Sequence, residues 1–179
     1  YFLDIGAHMG YYSLIFAKKN IKTFAFEPVK NNFEQLKINK DFNKLENLSI
    51  YNFALSNKKE EIKMWVPDSN KTGGYSIFDE NDEEIKKYDQ SKIIKILNKA
   101  EKGDDILDLK SKKIAIKLDV ERHELKTLEG LKNLLINNNI ILQVEIFEKR
   151  EKNVINFLKS KNFLLIKTIK RDFYFHNFR

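Results

Sequence analysis

At 179 residues the chain is long enough to bury the core of one domain without covalent staples, and it has no cysteine with which to build any. That absence excludes a disulfide scaffold and thiolate chemistry, and it suits a reducing, cytoplasmic setting. Hydrophobic residues make up an ordinary 42%, no apolar run reaches membrane-span length, and the net charge of +7 comes from lysines mixed with glutamates rather than from an arginine-rich patch interleaved with aromatics, so a nucleic-acid partner is not expected.

The chain opens in a strand-like run with Tyr1 in first place, which suggests that it starts inside a larger protein. Residues 2–5 read as a strand, 10–19 as a helix, 22–27 as a second strand and 29–42 as a helix with Val29, Phe33 and Leu36 on one face. Residues 48–55 read as a third strand. The rhythm then breaks over 56–113, an insertion or lid in the single domain. It holds a strand at 62–66, a Gly73-Gly74 loop, and a highly charged stretch over 79–105 with a weak helix inside it. Alternation resumes with a buried strand at 114–118. The helix after it is striped by Leu125, Leu128, Leu131 and Leu135. A strand at 140–146, a helix at 149–161 and two final strands at 163–169 and 172–178 follow. The short turn between the last two leaves no room for a crossover, so they must run antiparallel. Apolar strands alternating with amphipathic helices predict an α/β fold with a mostly parallel sheet.

Four of the strands read as parallel end in a carboxylate: Asp4, Glu27, Asp119 and Glu145. Ligands of open α/β sheets bind beyond the carboxyl ends of the strands, where the strand order reverses, so these acids mark a candidate site for hydroxyls or cations. The first strand runs into Asp4-Ile5-Gly6-Ala7-His8-Met9-Gly10. Gly6 permits a tight turn and close approach of a ligand to the backbone, and Gly10 permits close packing at the helix start. Glu27 follows Gly6 by 21 residues, about where a nucleotide-binding crossover places the acid that holds a ribose. A dinucleotide fingerprint needs glycine where His8 stands, and Asp4 would repel a pyrophosphate but would suit an ammonium group. S-adenosylmethionine is the adenosine cofactor that fits.

These runs, together with Tyr11-Tyr12-Ser13, Phe24-Ala25-Phe26-Glu27-Pro28, Ala54-Leu55-Ser56, Ile116-Lys117-Leu118-Asp119-Val120-Glu121 and Val144-Glu145, resemble the FkbM family of methyltransferases in order and across nearly the whole chain. The resemblance implies a class I methyltransferase, Rossmann-like: a seven-stranded, mostly parallel sheet of order 3-2-1-4-5-7-6, helices on both faces and an antiparallel last strand. It also implies methylation of a sugar hydroxyl on a glycan or a secondary metabolite. Two positions depart from the family: His8 replaces its usual Asn and Arg122 its usual Gly. An arginine there either rests on unstrained backbone or intrudes on the acceptor side.

Asp4, Gly6, Ala7, His8, Gly10, Tyr11, Glu27 and Pro28 are the candidate cofactor residues, with Ala54 and Leu55 near the adenine. An alcohol acceptor must lose a proton as it is methylated, which makes Asp119, Glu121, His123 and Glu145 candidate bases, with Lys117 beside Asp119 on an otherwise apolar strand. All four should line one crevice. His123 reads as a surface or helix-start residue, His8 as a residue that holds its loop. Asp119 with Glu145 could hold a divalent cation, but no metal site is assigned. Two rival readings stay open: a module that keeps the fold without activity, suggested by Arg122, and an RNA-directed methyltransferase, suggested by the net charge.

Overall fold

The computed structural model describes residues 1–66, 86, 89, 91–146 and 151–178; the Gly73-Gly74 loop lies outside them. In chain order the elements are β1 (Phe2–Ile5), α1 (Tyr11–Lys18), β2 (Thr23–Phe26), α2 (Lys30–Phe42), β3 (Leu48–Tyr51), β4 (Ala54–Ser56), β5 (Glu60–Val66), β6 (Ile94–Lys102), α3 (Gly103–Ile106), β7 (Lys113–Leu118), α4 (Glu124–Gly130), α5 (Lys132–Ile136), β8 (Asn139–Glu145), α6 (Glu151–Ser160), β9 (Leu164–Ile169) and β10 (Asp172–His176).

Seven strands form one sheet in the order β3-β2-β1-β7-β8-β10-β9, which is the order that the resemblance implied. From β3 to β8 every pairing is parallel, and β10 runs antiparallel to both neighbours. Alternating side chains send Leu3, Ile116, Leu142 and Phe173 to one face, where Leu128, Leu131, Leu135 and Leu158 of the later helices cover them. Ala25 points to the opposite face, under Ala17 of α1 and Leu36 of α2. The order reverses between β1 and β7, whose register sets Asp4 opposite Lys117.

Local chemistry divides two segments that periodicity joins. Residues 48–55 form two strands, because the Asn52 side chain turns back to donate to the Glu27 and Pro28 carbonyls at 2.9 and 3.2 Å. β4 beyond it joins a separate three-stranded sheet of order β4-β6-β5. That sheet packs closely on α4: the Thr127 hydroxyl donates to the Leu55 carbonyl at 2.9 Å, and a Cβ at Gly130 would lie 1.9 Å from the Ser56 carbonyl oxygen. The striped helix is likewise two, α4 and α5, meeting at Leu131. Asp104 caps the second by accepting the Asn133 and Leu134 N–H groups, each at 2.9 Å. Of the charged stretch over 79–105, residues 94–102 form strand β6, whose residues 94–100 pair residue for residue with β5, and Gly103 opens the short helix α3; most of 79–90 lies outside the described residues.

Candidate functional site

Gly6 ends β1 with φ at +80°, and a Cβ there would lie 1.8 Å from the Asp119 carbonyl oxygen. Only glycine lets the loop after β1 lie against the end of β7. Both Gly6 and Ala7 donate their N–H groups to the Phe26 carbonyl at 3.0 Å, which ties the same loop to the end of β2. Gly10 is left-handed at φ +87° and faces Leu36 of α2. It leaves α1 without a side-chain cap of its own. Asp4 supplies one from beneath: its Oδ2 accepts the Ser13 N–H at 3.0 Å and the Ser13 hydroxyl at 2.6 Å.

Above these ties, at the carboxyl ends of β1, β2 and β7, lies a cavity of about 420 Å³, within the size range of small-molecule sites. Its walls include Gly6, Ala7, His8, Tyr11, Glu27, Pro28, Ala54 and Leu55, eight of the ten residues expected to hold the cofactor. Asp4 and Gly10 are the exceptions and sit behind the wall. Burial pushes the Asp4 carboxyl above its usual value, opposed by Lys117 and by the bonds from Ser13. Asp4 thus orients α1 through Oδ2, while its buried Oδ1 has no hydrogen-bond partner among the described residues.

Glu27 is buried at the cavity wall. Its Oε2 accepts the His8 N–H at 2.8 Å and its Oε1 accepts the Val29 N–H at 2.9 Å, with a further bond from the Asn32 side chain. Burial raises its pKa to about 7 in spite of those bonds. A carboxylate has about four acceptor positions, so its oxygens can still take hydrogen bonds from a ligand. Beside it, His8 holds a left-handed φ of +51°, and its Nε2 is buried with no hydrogen-bond partner among the described residues.

A second part of the wall, beyond the end of β7, is made by Lys117, Asp119, Val120, Glu121 and His123. Lys117 Nζ donates to the Gly6 carbonyl at 3.1 Å and to Asp119 Oδ2 at 3.2 Å, lies 3.8 Å from Asp4 Oδ1, and stands 5.9 Å from the Tyr12 ring. It joins the ends of the two strands that flank the switch point. The ion pair between Lys117 and Asp119 thus forms at the cavity and not away from it. Glu145 differs from the expectation: it does not line the cavity, but stands behind Asp119 and shares a side-chain hydrogen bond with it. Burial first, then the charge and hydrogen bond of Asp119, raise its pKa to about 7.

Arg122 is not part of the cavity wall, but its backbone is strained. Its φ is +78°, next to Glu121 at +48°, so the unstrained backbone considered for an arginine at this glycine position is not what the chain adopts. His123 starts α4 as expected, yet it is buried, and its Nε2 lies 3.0 Å from the Ser56 hydroxyl. Tyr12, Phe26, Asn32 and Met64 also line the cavity, although spacing gave no signal for them as site residues. Met64 comes from β5, so the insertion reaches the wall. Among the described residues no three His, Asp or Glu side chains gather as a cation site, and no helix is long and apolar enough to cross a membrane.

A parallel sheet with this strand order, a glycine turn after β1 and an acid after β2 defines the class I methyltransferase fold. Solved structures share it. The crystal structure of the methyltransferase FkbM from Methylobacillus flagellatus KT superposes with a TM-score of 0.66 at 16% identity, covering 99% of this chain and 43% of that one. SMU.1697c from Streptococcus mutans, a putative methyltransferase in complex with SAH, gives 0.55 at 12% identity over 98% of this chain and 85% of its own. An rRNA methylase from Streptococcus thermophilus gives 0.53 at 10% identity over 98% and 83%. The family model of the methyltransferase FkbM domain matches residues 4–165, and the chain belongs to that family. It spans less than half the length of the FkbM structure above. No curated protein sequence matches it.

Proposed function

We propose that the chain is an S-adenosylmethionine-dependent O-methyltransferase whose acceptor is a sugar hydroxyl on a glycan or a secondary metabolite. One observation carries the reading: a single cavity at the switch point has buried Glu27 on one wall and the Lys117–Asp119 pair on the other. The residues present suit the cofactor. Glu27 has acceptor positions for the two ribose hydroxyls, His8 Nε2 lacks a partner among the described residues, and Phe26, Ala54, Leu55 and Met64 offer an apolar bed for the adenine. When bound, the cofactor supplies a methyl group on a sulfonium, a carbon already activated for displacement. The chain then has two tasks, to hold an acceptor against that carbon and to remove its proton. Asp119 takes the proton, and Lys117, 3.2 Å from its Oδ2, orients it. The sugar acceptor rests on family likeness.

Thermal unfolding tests the cofactor class. S-adenosylhomocysteine should raise Tm and NADH and FAD should leave it unchanged, because a ligand that binds only the folded state stabilises it by mass action. A shift with a dinucleotide and none with S-adenosylhomocysteine would sink the reading. An RNA acceptor is the second reading, supported by the net charge of +7 and by the rRNA methylases among the structural neighbours. RNA binding that falls steeply with salt would favour it. Cofactor binding without turnover on any acceptor would favour an inactive module.

A further inference from the structure

The chain carries a net charge of +7, yet its cavity does not share that sign. Glu27, Asp119 and Glu121 bring carboxyl groups to the wall. Among the described residues Lys117 is the wall's lysine, and it is already paired with Asp119 at 3.2 Å. A phosphate entering here would meet like charge. The mouth, by contrast, is aromatic. Tyr11 and Tyr12 line the cavity but remain 71% and 48% exposed, and their rings meet edge to face at 5.3 Å. Neither belongs to the core clusters on the two faces of the sheet, so packing does not account for two adjacent tyrosines at this place.

Tyr12 is the one fixed against the reacting groups. Asp4 holds the first turn of α1 through Oδ2, which accepts the Ser13 N–H and hydroxyl at 3.0 and 2.6 Å. Its Oδ1 stands 3.8 Å from Lys117 Nζ. The residue before Ser13 is thereby set beside the end of β7, with the Tyr12 ring centre 5.9 Å from the same ammonium that pairs with Asp119. A half-open aromatic ring therefore stands next to a carboxylate. Such a ring takes the C–H face of a saturated ring, whose hydrogens carry slight positive charge, and leaves the hydroxyls at its edge to polar groups. We propose that Tyr12 is the platform for the acceptor: a neutral, hydroxyl-bearing ring lies against it, with Tyr11 bracing the platform from the side and one hydroxyl directed at Asp119. Acceptors that carry phosphate, RNA included, are disfavoured. The inference rests on the methyltransferase reading and narrows its acceptor to an unphosphorylated sugar ring.

The test uses the chain saturated with S-adenosylhomocysteine. Saturation-transfer NMR is run with the methyl pyranosides of glucose, mannose, galactose and rhamnose, and with glucose phosphate, AMP and UMP. At least one neutral pyranoside should receive saturation at its ring protons, and the phosphorylated probes should receive none. Tyr12→Ala should weaken binding of that pyranoside about tenfold, the order expected for a lost aromatic contact. Tyr12→Leu, which is apolar but lacks the aromatic face, should do the same, whereas Tyr12→Phe should retain binding. Circular dichroism and calorimetric titration should show all three variants folded and binding S-adenosylhomocysteine as the unmodified chain does. Pyranoside binding that survives in Tyr12→Ala and Tyr12→Leu, a preference for a phosphorylated probe, or no transfer to any pyranoside overturns the inference and leaves the methyltransferase reading standing. Loss of S-adenosylhomocysteine binding in folded Tyr12→Leu also overturns it and moves Tyr12 to the cofactor. If the unmodified chain does not bind S-adenosylhomocysteine, both fall.

Discussion

The two walls of the cavity are built by different means. The wall after β1 and β2 is made largely of backbone: Gly6 and Ala7 donate to Phe26, and Glu27 accepts the His8 and Val29 N–H groups. Asp4 works beneath it as a cap. The wall after β7 presents the paired side chains of Lys117 and Asp119, with Glu145 outside the cavity, and the chain continues through two left-handed residues without glycine. Backbone ties leave little freedom, which suits a surface that must hold one invariant cofactor. Charged side chains can change protonation in place, which suits a surface where a proton has to move. Variants should separate the two walls cleanly, damaging binding on one side and turnover on the other.

The largest effect is expected where the proton moves. Asp119→Asn should lower turnover by a factor of about 10² to 10⁴ with affinity for S-adenosylhomocysteine almost unchanged, as rates measured beside calorimetric titrations would show. A matching loss of affinity would place Asp119 on the cofactor wall instead. On the backbone wall, Gly6→Ala puts a Cβ 1.8 Å from the Asp119 carbonyl oxygen at a φ of +80°, so the loop must shift. Urea unfolding should show a loss of about 3 kcal/mol or more, together with loss of ligand binding. Glu27→Ala should weaken S-adenosylmethionine binding by about 1.5–3 kcal/mol, the scale of charge-assisted hydrogen bonds, and a folded variant with unchanged affinity would remove Glu27 from the site.

Acidity offers a finer test, because Glu27 and Glu145 are both raised to about 7 from an unperturbed 4.5. Each is more readily protonated folded than unfolded. Its stabilising contribution is therefore complete below pH 4.5 and is lost as pH rises through about 7. Tm should decline over that window, and Glu27→Gln and Glu145→Gln should each flatten the decline. Affinity for the cofactor should change in the opposite sense. Ribose hydroxyls donate best to an ionised Glu27, so binding should strengthen as pH rises to about 7 and then level off. The smallest effect belongs to Arg122. Arg122→Gly relieves a φ of +78° and should stabilise the fold by about 1 kcal/mol in urea titration. Because Arg122 is absent from the cavity wall, turnover should stay the same.

Much of this protein could be read from the chain. Apolar runs at residues 2–5, 114–118 and 140–146, separated by helical stripes, specify strands and crossovers because side-chain periodicity is a local property. Gly6 and Glu27 were legible for a similar reason: a left-handed turn admits few residues other than glycine, and an acid at a strand end is fixed by its place in the crossover. What the tertiary structure decided depends on segments far apart in the chain. Asn52 ends β3 by bonding across to the residues after β2, and so divides a run that looks continuous. Met64 and His123 reach the cavity only because the second sheet packs against α4. Four strand-end acids look equivalent in the sequence, yet packing turns Asp4 under α1, faces Glu27 and Asp119 into the cavity, and leaves Glu145 behind its neighbour. Strand position is set by pattern, but which way a carboxylate turns and whether it keeps its proton depend on what is buried around it.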